Sequence, residues 1–169
     1  MATTIGSGIT LNVSIDGSYV KTDQGNIGTV PIAYKNVAVS YTNGNGTYQC
    51  NAAYVSLARS LAGTGESFDL NTIADYFGTS LNFLKVKLFL IRSLAILAAD
   101  TGKILTLTGD FLTQAGVGVA AGGHIVGPGG TYLLDNPIDG YPVTATTADV
   151  ITVTNAVTFT YDLIILGTV

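Results

Sequence analysis

Histidine and cysteine each occur once in this 169-residue chain, and tryptophan does not occur. That scarcity removes most of the parts from which active sites are built. A zinc centre takes three or four Cys, His or carboxylate ligands, and one His with one Cys cannot supply the usual sets. A serine nucleophile would depend on His124, which stands in Gly122-Gly-His-Ile125 with no Gly-x-Ser-x-Gly elbow in the chain. Cys50 has no second cysteine to pair with, so stability must come from packing or assembly. It also lacks a cationic neighbour in sequence and is expected to be a small buried side chain.

Charge is the second shortage. Only 11% of residues are charged, against about 25% in an ordinary soluble domain. With 21 glycines and 47% hydrophobic residues, such a chain covers an independent surface poorly, and other chains are expected to cover part of it. The alternative is a compact sandwich coated with Thr, Ser and Asn. The net charge is −4, and all seven basic residues lie at or before Lys103. The remainder, from Ile104 to Val169, carries only Asp110, Asp135, Asp139, Asp149 and Asp162 as charges. Phosphate binding rests on Lys and Arg, so nucleic acid is not an expected partner. The longest apolar run, Leu88 to Ala99, is twelve residues broken by Arg92, whereas a spanning helix needs about 20. No membrane partner is expected. The opening MATTIGSG lacks the basic and apolar regions of a secretory leader, so none is expected.

What the chain does contain is period-two alternation between turn residues. Ile9, Leu11, Val13 and Ile15 alternate within a stretch broken by glycines and Pro31, which suits two short strands or an extended arm over residues 1–35. Val37, Val39 and Tyr41 share one face of a strand that runs into Asn43-Gly-Asn-Gly46. Asn-Gly accepts the positive φ of tight hairpins, which predicts Thr47 to about Leu57 as the partner strand. Glu66–Leu70 is a further strand, and Asn71–Phe77 suits a short helix closed by Gly78. Leu81 to Leu97 is expected to be a strand buried on both faces toward its end, with another at Lys103–Thr108. Asp110 to Gly130 is a glycine-rich loop ending in Gly127-Pro-Gly-Gly130. Short strands follow at Thr131–Leu134, Pro142–Thr146, Asp149–Asn155 and Val157–Leu166.

The last of these is the most informative. Val157, Phe159, Tyr161, Leu163 and Ile165 make one unbroken apolar face. The opposite face runs Thr158, Thr160, Asp162, Ile164, Leu166 and turns from polar to apolar partway along. A central strand whose far end enters a second buried surface fits this pattern. Evenly spaced short strands indicate an all-β, antiparallel β-sandwich of jelly-roll or Greek-key type, over residues 36–169.

The other chemical patterns are weak. Most acids sit in turns, as Asp135, Asp139 and Asp149 do, and no D-x-[DN]-x-[DN]-G calcium loop exists. Gly116-Val-Gly118-Val-Ala-Ala-Gly122 is one residue off a dinucleotide-binding spacing and precedes no helix pattern. No catalytic residue, cofactor or metal is expected. The candidate contacts with other chains are His124, Gly127 and Pro128 in the glycine-rich region, and Asp162, Ile164 and Leu166 on the last strand.

Two stretches carry a resemblance. Thr42-Asn-Gly-Asn-Gly-Thr47, Ser60-Leu-Ala62, Phe68-Asp-Leu70, Asp75-Tyr-Phe-Gly78 and Leu84-Lys-Val-Lys87 form the first. Gly127-Pro-Gly-Gly130, Gly140-Tyr-Pro-Val143, Thr147-Ala-Asp149 and Tyr161-Asp-Leu-Ile-Ile-Leu-Gly167 form the second. Together these are similar to a group of small phage and prophage proteins that resemble jelly-roll capsid decoration (cement) proteins. The resemblance spans about residues 40–169 and departs at 114–123 and in the first forty residues. It implies a non-enzymatic virion protein on the capsid exterior, with the major capsid protein and further copies of itself, as a trimer, for partners. A receptor- or glycan-binding module of a tail or head fibre is the alternative, with tyrosines and loop acids as its contacts.

Overall fold

Alternation of apolar and polar residues between glycine- and proline-bearing turns produces twelve strands among the described residues. The computed structural model describes residues 9–23, 26–61, 63, 65–75, 77–100, 102–116 and 123–169; for 9, 12–37 and 98 it describes the backbone alone. In chain order the strands begin with β1 (Ile9–Asp23), β2 (Asn26–Asn43), β3 (Gln49–Cys50), β4 (Ala52–Leu61), β5 (Glu66–Asp69), β6 (Lys85–Ser93) and β7 (Leu105–Thr108). A one-turn helix α1 (Asp110–Gln114) precedes β8 (His124–Val126), β9 (Thr131–Asp135), β10 (Tyr141–Pro142), β11 (Val150–Thr154) and β12 (Phe159–Thr168).

Two antiparallel sheets form the body. One runs β4-β12-β6, with β9 and β10 sharing the far edge of β6; the other runs β5-β11-β7-β8. The connections β4–β5, β6–β7, β8–β9 and β11–β12 each cross from one sheet to the other, and β11 and β12 insert between strands made much earlier. This is the interlocked order of a jelly roll, two Greek keys folded over one core. The order also sorts the connections. Those leaving β4, β6, β8 and β11 gather at one end, here the upper end, and those leaving β5, β7 and β9 gather at the lower end.

The core lies between the sheets. Phe159, Tyr161, Leu163 and Ile165 of β12 face Leu105, Leu107, Ile151 and Val153 of the opposite sheet, all buried in one cluster. From Phe159 on, the expected apolar face of the last strand is thus the centre of the core, while Val157 is exposed just before the strand begins. At the β4–β5 side the two sheets are stapled by polar groups: Tyr161 donates to Glu66, and Arg59 Nε donates to Glu66 Oε2 at 2.7 Å while its guanidinium stacks 5.1 Å over Phe68. β4 carries a bulge opposite Asp162. Ala58 takes φ 50° there, and its N–H donates to Asp162 Oδ1 at 2.8 Å. The bulge interrupts an otherwise regular edge strand.

β1 and β2 pair with each other from Ile9↔Tyr41 to Asp23↔Asn26 as a long two-stranded ribbon, with an irregularity between Val13 and Ile15. Its root covers the outer face of the β4-β12-β6 sheet. Tyr41, Cys50, Leu88 and Leu166 are buried there, with Leu11, Val39, Leu90 and Ile164 packed against them. The second face of β12 therefore turns apolar because residues near the start of the same chain lie over it.

Three local expectations are corrected. Asn43–Gly46 does not make a hairpin: β2 pairs antiparallel with β1, and β3 runs parallel to the end of β2. The loop closes on itself, with Gly46 N donating to Gln49 Oε1 and Tyr48 at φ 55°, and this sends Ala52–Leu61 to β12 instead. Residues 71–75 and 77 are turns, not helix. Asp69 Oδ1 accepts the Asn71 N–H, and Asp75 Oδ1 accepts those of Phe77 and Thr79, which diverts the donors a helix would use. In the glycine-rich stretch, α1 and β8 are ordered elements, and 117–122 lie outside the described residues, as do 1–8 of the N-terminal stretch.

Candidate functional site

β6 ends at Ser93, but the apolar run continues through Leu97: Ala95 still enters the core, and Ile96 and Leu97 do not. Ser93 Oγ accepts the Ala95 N–H at 3.3 Å, and Leu94 N donates to Thr160 O at 3.0 Å, which turns the chain across the upper end. Asp100 Oδ2 accepts the Leu97 N–H at 2.9 Å, while Lys103 Nζ sits 2.7 Å from Asp100 Oδ1. The lysine and the Leu97 N–H hold the Asp100 carboxyl below its usual range. Ile96 and Leu97 are left 73% and 69% exposed.

The β8–β9 turn comes up beside them. Gly130 N donates to Gly127 O at 2.9 Å, Ser93 N donates to Gly130 O at 2.9 Å, and Gly129 adopts φ 69°. Between the two loops lies a groove of about 410 Å³, lined by Ala95, Ile96, Leu97, Ile104 and Pro128 with Gly102, Gly127 and Gly129. Its lining side chains carry no titratable, nucleophilic or hydrogen-bonding group. The groove suits apolar side chains from another molecule, each fully buried one contributing about 1.5–3 kcal/mol.

The sequence-derived candidates fall in two places. Gly127 and Pro128 line the groove. His124 lies on the same β8 edge, its ring 4.9 Å from that of Tyr132 on β9 and inclined by 32°. The pair closes the open side of the sandwich, where the edge strands of the two sheets meet. His124 Nε2 and the Tyr132 hydroxyl are enclosed there, and neither has a hydrogen-bond partner among the described residues, a costly arrangement. Burial raises the Tyr132 pKa. Asp162, Ile164 and Leu166 lie on β12 instead. Asp162 serves the β4 bulge, Ile164 is half-buried, and Leu166, 1% exposed, is covered by its own chain.

Sequence reasoning missed Ile96, Leu97 and Ile104. The signal for Ile96 and Leu97 was the length of the apolar run past the point where a nine-residue strand is complete; Ile104 lies outside that run and carried none. It also missed the buried polar knot beneath the ribbon root. Lys87, 1% exposed, donates from Nζ to Ile138 O at 2.6 Å, and Tyr41 donates to Asp135. Burial, with the nearby Lys85 charge, lowers the Lys87 pKa. Burial followed by the Asp135 bond raises that of Tyr41, and burial pushes Cys50 up to about 11 against the pull of Lys87. Among the described residues no three His, Cys, Asp or Glu side chains come together as a metal site, and no helix is long and apolar enough to cross a membrane.

Comparison of the chain with protein-family models, with curated proteins and with solved structures finds no match.

Proposed function

We propose that this chain is a structural protein of a phage virion, a decoration (cement) protein that sits on the outside of the head and bridges neighbouring copies of the major capsid protein. The observation that carries the reading is the apolar groove at the upper end of a jelly roll, exposed in a chain with only 11% charged residues. Jelly rolls recur in viral shells and in lectins, so the fold supports either kind of surface protein. The groove favours the former, because it lacks the aromatic platform and converging polar groups that a saccharide needs. The resemblance of residues 40–169 to small phage proteins points the same way. The mechanism is mass action: a module that binds only the assembled shell stabilises it, by about 2.7 kcal/mol per site at a free concentration 100 times its Kd.

Quantitative mass spectrometry of purified particles, with cryo-electron microscopy to locate the chain, tests the reading. The expected result is many copies spread over the head surface. Absence from the particle, or confinement to the tail, overturns it.

A further inference from the structure

The connections of the jelly roll divide its exposed apolar residues between opposite ends. Ile96, Leu97 and Ile104 stand around the groove at the upper end. The lower end presents Leu84, 61% exposed, Ile138 and Phe77. Leu84 and Ile138 belong to the same region of the β6 edge: Leu84 O accepts the Val143 N–H just beyond β10, and Ile138 O is held by Lys87 Nζ. One end is therefore concave and apolar, and the other carries apolar side chains on turns.

The charges at the two ends differ in the same sense. The strand ends and connections at the lower end hold Asp69, Asp75, Asp110, Asp135, Asp139 and Asp149 against Lys85 and Lys87. At the upper end Arg59 is matched by Glu66 and Lys103 by Asp100, and Arg92 stands opposite Asp162 on the neighbouring strand. Two lower ends repel each other, whereas an acidic lower end meets a neutral upper end without that penalty.

We infer that the groove receives the Leu84–Ile138 surface of a second copy of this chain, in a head-to-tail contact. Such a contact is heterologous: each copy uses one surface to give and a different one to receive. It closes into a ring or continues as a fibre according to the rotation it imposes. The contact uses the same groove that carries the capsid reading, so the two compete for one surface, and each is read by a different experiment.

Sedimentation velocity on the full chain and on two variants tests it. Leu97→Asp places a charge in the groove and Leu84→Asp places one on the surface that fills it, each at an exposed position where folding tolerates it. Wild-type chain is expected to associate with rising concentration. Each variant alone stays monomeric, its self-association weakened about 100-fold or more by the buried unpaired charge. Mixed in equal amounts, the two variants form a dimer and nothing larger, because only one intact pair of ends remains. Circular dichroism establishes that both are folded, and Ile96→Ser and Ile138→Ser replace them if either is not. A monomeric wild type, a variant that assembles like wild type, or a mixture that yields no dimer overturns the contact. A chain that is missing from virions yet behaves as expected here leaves the contact standing and removes only the capsid reading.

Discussion

Replacing Gly167 by alanine probes the seam where β12 crosses from β6 to the start of β4. Gly167 stands opposite Val86 on one side and Ala52 on the other, next to a register shift. A Cβ at this position would lie 2.2 Å from Lys85 O and 2.7 Å from Phe83 Cδ1. The Phe83 ring is fully buried and has nowhere to turn, and the Lys85 carbonyl belongs to the strand paired with Thr168. Relief requires a shift of main chain. Overpacking in a core costs about 1–3 kcal/mol, and a clash with a carbonyl belongs at the top of that range. A smaller unfolded-state gain of about 0.4–1 kcal/mol from losing a glycine offsets part of it. The expected net loss is about 2 kcal/mol, which lowers the Tm by about 4–8 °C in a domain of this size. Gly127→Ala is the matched control, because a Cβ there meets nothing within 4 Å, and it is expected to stay within about 0.5 kcal/mol of wild type. Urea unfolding followed by circular dichroism measures both. A Gly167→Ala variant as stable as Gly127→Ala would refute the packing argument at this seam.

Further outcomes follow from the buried groups. Leu166→Ala empties the centre of the ribbon-root cluster and is expected to cost about 2–5 kcal/mol, with faster protease cleavage in residues 9–43 than in wild type; unchanged cleavage would detach the ribbon from that cluster. Tyr41 and Tyr161 both have pKa values raised by burial and by their carboxylate partners. Their unfolded forms ionise near pH 10, so their contribution is whole below about pH 10 and is lost as pH rises further. Urea midpoints should fall between pH 9 and pH 11 (roughly bracketing that unfolded value), and less steeply in Tyr41→Phe and Tyr161→Phe. Cys50, fully buried and raised to about 11, should resist a thiol reagent in the folded chain at neutral pH and react at once in denaturant. Rapid labelling of the folded chain would contradict the packing around it.

Strand identity was legible wherever a single period-two pattern met a single face. β12 and β11 could be found this way because Phe159, Tyr161, Leu163 and Ile165, and Ile151 and Val153, are buried on alternate positions. Pairing was not legible. Residues 52–61 alternate well enough to pair with any strand, and the choice of β12 over β2 rests on contacts between residues more than a hundred positions apart, as in Tyr54↔Ile165. The turns at 71–75 and 77–79 were not legible because Asp69 and Asp75 compete for the N–H groups that a helix needs, a contest between two local solutions that composition does not decide. The groove was half visible. Gly127 and Pro128 stood out as turn residues, but their approach to Ile96 and Leu97 is a product of the jelly-roll order, which brings the β6–β7 and β8–β9 connections to the same end.

The place of β12 has a consequence for how the chain comes into being. β4 and β6 are synthesised early, and neither pairs with the other: the strand that joins them is β12, which ends at Thr168. During synthesis both must wait with open edges and bare apolar faces while the intervening residues emerge, because no earlier strand can fill the gap. Long-range pairing of this kind is slow and exposes the nascent chain to aggregation. A ribosome stalled before residue 159 would hold a chain without its central strand, in need of a chaperone rather than of time.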